Sequence, residues 1–414
     1  MLAGGGARGA YQVGVIRFLR EALPEPARSH AHFDILAGCS VGAVNASFLA
    51  ATAHRPEDQG RLLQSCWNRL HANDLYRMGW RRWLRLPAWL LGGAMLPGGA
   101  PPHAGLLNAG PLVGIVRDSF PWPNIDRNIQ SGALDALALS ATDISSGRTF
   151  VFAQTRSGKI PAWASDPRRA GIPTRIGPEH ALASAAIPLL FPPVEIDGRL
   201  FCDGGLRQIA PLSPALRLGA ERALVVSLRY VPPPEESGVY QQSSLRSFPG
   251  AIFLLSKVLN SLLLDQLDHD LHQLEVINTI LDVGEESYGP EFRYRLDQAV
   301  ACARGVPYRK AQTLVLRPSK DPGVLAARHA QQVRLSSPWR QLLKLGLTIA
   351  APENERAEGD LLSYLLFDAP YVNELIELGY ADAAARAQEL VDFFSPARPE
   401  RRYPSVIDTP QVAS

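Results

Sequence analysis

The sequence predicts an α/β fold on a doubly wound, mostly parallel sheet. Three observations carry that expectation: short buried apolar runs alternate with helical patterns, long crossovers separate successive strands, and the chain opens as strand, glycine turn, helix, strand, turn and helix. With 414 residues, 46% of them hydrophobic and 20% charged, the chain can bury a large core, and global disorder is excluded.

Met1 to Ala3 reads as the end of a strand, because Gly4-Gly5-Gly6 follows at once. A strand of ordinary length, about five residues, would need residues upstream of Met1. Val15, Ile16, Leu19 and Leu23 space a helix over 10–23, which stops before Pro24. Phe33 to Ala37 reads as a second buried strand, Gly38 to Gly42 as a tight turn, and Ala43 to Ala53 as a helix of small residues able to pack closely. Leu134 to Ala141 and Thr149 to Ala153 read as strands joined through Asp143 to Gly147. Val194 to Ile196 pairs with Arg199 to Cys202 across Asp197-Gly198, a type I′ hairpin signal. Ala223 to Leu228 and Thr313 to Leu316 complete the strands. Pro232 to Ser247 is polar and turn-rich; helical patterns follow from Ile252 to Leu281, over 341–349, and from Leu361 to Leu378.

Composition narrows the function classes. Lys plus Arg number 42 against 40 Asp plus Glu, a net charge of +2, so nothing general attracts nucleic acid. The four cysteines form no CxxC pair, which argues against a disulfide framework and a zinc site. The nearest approach to an apolar span, Ile252 to Leu264, is broken by Ser256, Lys257, Asn260 and Ser261. With no signal-peptide pattern either, the expected location is cytoplasmic or peripheral at the inner membrane face.

Three motifs bear on chemistry. Gly38-Cys39-Ser40-Val41-Gly42 is a G-x-S-x-G between strand and helix, where a serine can sit on a sharp elbow; the competing reading is an ordinary glycine turn. Gly4 to Gly9 offers backbone amides at a helix N-terminus for a developing oxyanion. It also fits G-x-G-x-x-G through Gly4, Gly6 and Gly9. A dinucleotide-binding unit, however, wants an acidic residue at the end of the second strand, where Gly38-Cys39-Ser40 stands instead. Asp203-Gly204-Gly205 follows the Asp197-Gly198 hairpin, delivering a carboxylate at a strand end, and Ala183 to Pro188 is a small-residue block suited to close packing.

In this order and spacing the motifs resemble the patatin-like phospholipase family of serine acyl hydrolases, over roughly residues 1–230, the later helices fitting bacterial members more loosely. The resemblance implies a three-layer α/β/α patatin-like fold with a mostly parallel central sheet and a helical C-terminal extension. The expected division is a catalytic domain over 1–230, a loop or linker over 231–247, and a mainly helical region over 248–414 packed on the same core. The family pattern implies Ser40 as nucleophile and Asp203 as its general base, with the amides of Gly4, Gly5, Gly6 and Ala7 forming the oxyanion hole. Arg8, Gly9, Gly38, Gly42, Gly204 and Gly205 support the motifs. It implies a lipid ester as partner and neither cofactor nor metal.

A dyad dispenses with the imidazole that usually activates serine, and none of the nine histidines stands in a recognisable catalytic setting. An α/β-hydrolase triad is disfavoured because the elbow comes before the several strands that normally precede it. Two readings outside hydrolysis compete: a catalytically silent, membrane-associated binding or regulatory module of the same fold and, less favoured, a nucleotide-binding protein using the glycine loop. Arg8 reads either as ordering the glycine loop or as a solvated cation at a helix start. Cys39 and Cys202, next to Ser40 and Asp203, read as structural filling rather than redox switches. Residues 76–96 interleave arginine with Trp80, Trp83 and Trp89, suiting peripheral membrane contact or, equally, a cap helix packed on the body.

Overall fold

The computed structural model describes residues 1–70, 109–161, 169–188, 190–206, 212–233, 266–330 and 355–395. The tryptophan–arginine segment 76–96, most of the 231–247 linker and the helical pattern over 341–349 lie outside the described residues.

Among the described residues eight strands build the sheet: β1 (Ile35–Cys39), β2 (Ala136–Asp143), β3 (Thr149–Thr155), β4 (Arg169–Pro173), β5 (Val194–Ile196), β6 (Arg199–Asp203), β7 (Arg222–Val226) and β8 (Gln312–Leu316). Pairing is parallel between β1 and β2, β3 and β4, and β7 and β8. It is antiparallel between β2 and β3, β2 and β6, and β5 and β6. Met1 to Ala3 joins the six strands β1 to β6 to the pair β7 and β8. Leu2 bridges Gly38 on one side and Val226 on the other, both in parallel, with the Leu2 amide donating to the Ala37 carbonyl at 2.9 Å and the Ala3 amide to the Val226 carbonyl at 3.2 Å. The first three residues, read from the sequence only as a strand end, thus lie between β1 and β7 as a central rung.

Side chains alternate across the strands because successive Cβ atoms point to opposite faces. Leu36, Leu137, Leu139, Leu224 and Val226 enter the main core. Ala37, Ala138, Ala223 and Val225 face the other way, against Leu212, Ala215, Leu267 and Leu274 from helices on the second face. The sheet is thus mixed, and covering both faces is what its parallel strands require.

The helix Val41–Ala51 is buried along its whole length. Its alanines let it press on the sheet so closely that a Cβ at Gly42 would stand 2.1 Å from the Leu2 carbonyl oxygen. Beside it run Ala10–Glu21 and Gln59–Asn68. Late in the chain, Ala369–Ala385 contributes Tyr371, Val372, Leu375 and Ile376 to the same core, and Tyr380 meets Phe18 edge-on at 5.5 Å. A helix from near the C-terminal end is therefore integral to the first helical layer.

Several boundaries differ from those read off the sequence. The second strand lies two residues later than Phe33–Ala37, because pairing with β2 and not apolar character sets its limits. The edge strand β4 carries no apolar run, and its residues are only half-buried or exposed. The apolar pattern over 361–378 is two helices, Glu355–Leu365 and Ala369–Ala385, interrupted before Pro370, which occupies a first-turn position where its missing N–H costs nothing. Of the helix expected over Ile252 to Leu281, residues 252–265 lie outside the described ones, and the described part runs over Gln266–Tyr288, past Leu281. The hairpin falls as read, with Asp197 at φ 49° and Gly198 at φ 72°, the positive pair a type I′ turn needs.

Candidate active site

Ser40 stands between β1 and the helix Val41–Ala51, as its cap, with φ 53° and ψ −130°, a conformation sparsely populated by residues with a Cβ and the mark of a nucleophile elbow. The turn is sharp because the helix folds straight back on the strand; a Cβ at Gly38 would lie 2.4 Å from the Gly42 carbonyl oxygen. Strain of this kind persists only where the surroundings over-determine it. Here the Ser40 amide donates to Ser184 Oγ at 2.9 Å, and the Ser184 hydroxyl donates to the Ser140 carbonyl at 2.6 Å. One serine from the small-residue block therefore ties the elbow to β2.

Asp203 closes β6 directly opposite. Its amide donates to the Ala186 carbonyl at 2.8 Å, so the same block fixes both partners. The Ser40 hydroxyl donates to Asp203 Oδ2 at 2.5 Å and the Gly205 amide to Oδ1 at 2.7 Å. Both residues are buried, Asp203 at 0% exposure. Burial pushes the Asp203 carboxyl up to about 7, against the two donors, which favour the ionised form. A carboxylate that titrates near neutrality and touches a serine hydroxyl is suited to take its proton. Among the described residues no histidine hydrogen-bonds to Ser40 or Asp203. His180, the nearest in sequence to the block, accepts from the Gly177 amide at 3.0 Å and packs edge-on against Phe152 at 4.8 Å.

The glycine loop lies across the serine. A Cβ at Gly4 would stand 2.9 Å from Ser40 Cβ. Gly6 has φ 56°, and a Cβ there would meet the Tyr364 carbonyl oxygen at 2.3 Å, so only glycine fits. Among the described residues no turn or loop backbone hydrogen bond runs from the Gly5 or Gly6 amide. Gln12 Nε2 donates to the Ala3 carbonyl at 2.8 Å, ahead of the loop. Asn45 Nδ2 donates to the Gly9 carbonyl at 3.2 Å, behind it, and to Gln12 Oε1 at 2.8 Å. The Trp67 indole donates to Asn45 Oδ1 at 3.0 Å, so a satisfied buried network grips both ends of the loop.

Arg8 is not the solvated cation that the sequence left open. It is 3% exposed; Nε donates to Ser363 Oγ at 2.7 Å, Nη2 pairs with Asp360 Oδ1 at 3.2 Å, and the guanidinium covers the Tyr364 ring at 4.3 Å. Arg8→Met is expected to lower kcat by about 10²-fold through displacement of the glycine loop with KM little changed, and Arg8→Lys to recover part of it. Steady-state kinetics on the two variants, with their thermal midpoints, check this; an equal loss in kcat/KM carried by KM alone contradicts it.

An apolar cavity opens from Ser40. Gly6, Val41, Val44, Leu63, Trp67 and Phe120 line it together with Ile187, Phe191, Tyr364, Leu365 and Phe367, and among the described residues no charged side chain does. Cys66 also lines it; Cys39 and Cys202 are buried at the strand ends, where burial raises both thiols, Cys202 to about 12, which fits packing and not reactivity.

A Patatin-like phospholipase family model matches residues 1–216, slightly more than half of the chain. The chain belongs to the patatin-like phospholipase family, a family of lipid acyl hydrolases. Among solved structures it is similar to VipD from Legionella pneumophila, at 12% identity and a TM-score of 0.31, over 91% of this chain and 66% of that one, just under two thirds of its length. No curated protein matches it significantly. Among the described residues no helix is long and apolar enough to cross a membrane.

Proposed function

We propose that the protein hydrolyses acyl esters of phospholipid, lysophospholipid or neutral lipid through a Ser40–Asp203 dyad. The observation that carries this reading is the 2.5 Å hydrogen bond from Ser40 to a buried carboxylate at the mouth of an uncharged apolar cavity. Asp203 accepts the hydroxyl proton as Oγ attacks the ester carbonyl. The Gly5 and Gly6 amides receive the oxyanion, with Gly4 and Ala7 shaping the loop, and the N-terminus of the helix Val41–Ala51 adds its dipole. The proton returns to the departing alcohol, and water, activated by the same carboxylate, releases the acyl group from serine. The acyl chain lies in the cavity, where burial contributes about 0.8 kcal/mol per methylene. Contact of residues 76–96 with the lipid surface belongs to the same reading, supported by their alternation of indoles and guanidinium groups.

The test is incubation with phosphatidylcholine vesicles, lysophosphatidylcholine micelles and a triacylglycerol emulsion, in buffer with a chelator, followed by quantitation of free fatty acid. Release from at least one class is expected. Absence of release from all three, by a protein shown to be folded, contradicts the proposal.

A further inference from the structure

We infer that the C-terminal segment Glu355–Phe367 is a wall of the acyl cavity and that Phe367, with Tyr364 and Leu365, determines which chain lengths are accepted. The inference rests on the hydrolase reading and deepens it. The segment lies well beyond residues 1–216, where the family match ends, yet Tyr364, Leu365 and Phe367 line the same cavity as Ser40 and Gly6.

Two sets of contacts fix its position. At one end it is tied to the glycine loop: the Arg8 guanidinium bonds to Ser363 and Asp360 and covers Tyr364, whose carbonyl presses on Gly6. At the other end Phe367 stacks on Trp67 with ring centroids 6.1 Å apart and planes 21° from parallel. Trp67 is itself held by Asn45 and so by the network that grips the loop. The wall is therefore set rigidly relative to the reacting carbon, and Phe367, 7% exposed, is the cavity-lining ring that it sets against the indole. A fixed ring at a fixed distance from a nucleophile limits how much chain fits on one side of it, whereas a mobile loop would only reduce affinity.

The experiment measures kcat/KM for p-nitrophenyl esters from four to sixteen carbons on wild type, Phe367→Ala, Phe367→Leu and Leu365→Trp, with thermal midpoints for each. Removing the ring is expected to move the optimum towards longer chains, changing the ratio of the longest to the shortest ester by at least about 10-fold, since each accommodated methylene is worth about fourfold. Phe367→Leu shifts it the same way by less, and Leu365→Trp moves it towards shorter chains. Superimposable length profiles for the folded variants, whatever their overall rates, overturn the inference. If Phe367→Ala does not fold, the opposed shifts of Phe367→Leu and Leu365→Trp decide. Wild type that cleaves none of the esters defeats the hydrolase reading itself, an outcome separate from an unchanged profile in an active enzyme.

Discussion

Ser40→Ala is expected to lower kcat/KM by about 10⁴-fold or more, because no other nucleophile among the described residues stands beside the glycine-loop amides and groups that act as a unit are lost together. The fold should survive. Alanine keeps the Cβ that the φ 53° elbow already accommodates, and the backbone bond from residue 40 to Ser184 is unaffected. Asp203 loses the hydroxyl that stabilises its ionised form and keeps only the Gly205 amide, so its carboxyl rises further and remains protonated at neutral pH. Ester hydrolysis and circular dichroism on the same preparation check the prediction. Activity above about one percent of wild type in the alanine variant would assign the chemistry to another residue.

Asp203→Asn is expected to cost at least about 10²-fold in kcat, the contribution of a positioned general base, and to stabilise the protein at alkaline pH. The two effects share one cause. Wild-type Asp203 titrates near 7 when folded against an ordinary 3.8, so the folded state holds a proton that the unfolded chain releases. A raised carboxyl contributes stability that is fully present below about pH 4 and is lost as pH climbs through about 7, an amount of a few kcal/mol. Asparagine does not ionise and avoids that loss. Its oxygen can accept from Gly205 while its amide donates to Ser40 Oγ, so the Ser40–residue 203 contact is kept with its direction reversed. Thermal melts at pH 5 and pH 8.5 should show wild type losing stability between them and the variant losing less. In wild type kcat/KM should rise with pH through about 7 as the base ionises. Parallel melting shifts in the two proteins would remove Asp203 as the source.

The positions of these two residues were legible in the sequence because each sits on a local turn written in consecutive residues, whereas their roles and pairing came only from the family resemblance. The elbow needs glycines two before and two after the serine, and the hairpin needs Asp197-Gly198 immediately ahead of the strand that delivers Asp203. The small-residue block was visible as composition, but its work was not: Ser184 and Ala186 act through hydrogen bonds to Ser40 and Asp203 that no spacing announces. The partners of Arg8 lie 352 and 355 positions away, and Phe367 meets Trp67 from the far end of the chain. Such pairings are decided by how late helices dock on the first layer. Periodicity also concealed the break before Pro370, since apolar spacing continues in phase from one helix to the next. β4 escaped notice because an edge strand exposed to solvent has no need of an apolar run.

In the proposed mechanism Ser40, deprotonated by Asp203, forms the acyl-enzyme. The most direct measurement is peptide mapping by mass spectrometry after treating wild type and Asp203→Asn with a long-chain alkyl fluorophosphonate. One phosphonyl group per wild-type chain is expected, carried by the peptide containing Ser40, with labelling of the asparagine variant slowed by about 10²-fold or more. An adduct on a different residue, or no adduct on folded wild type, would contradict it.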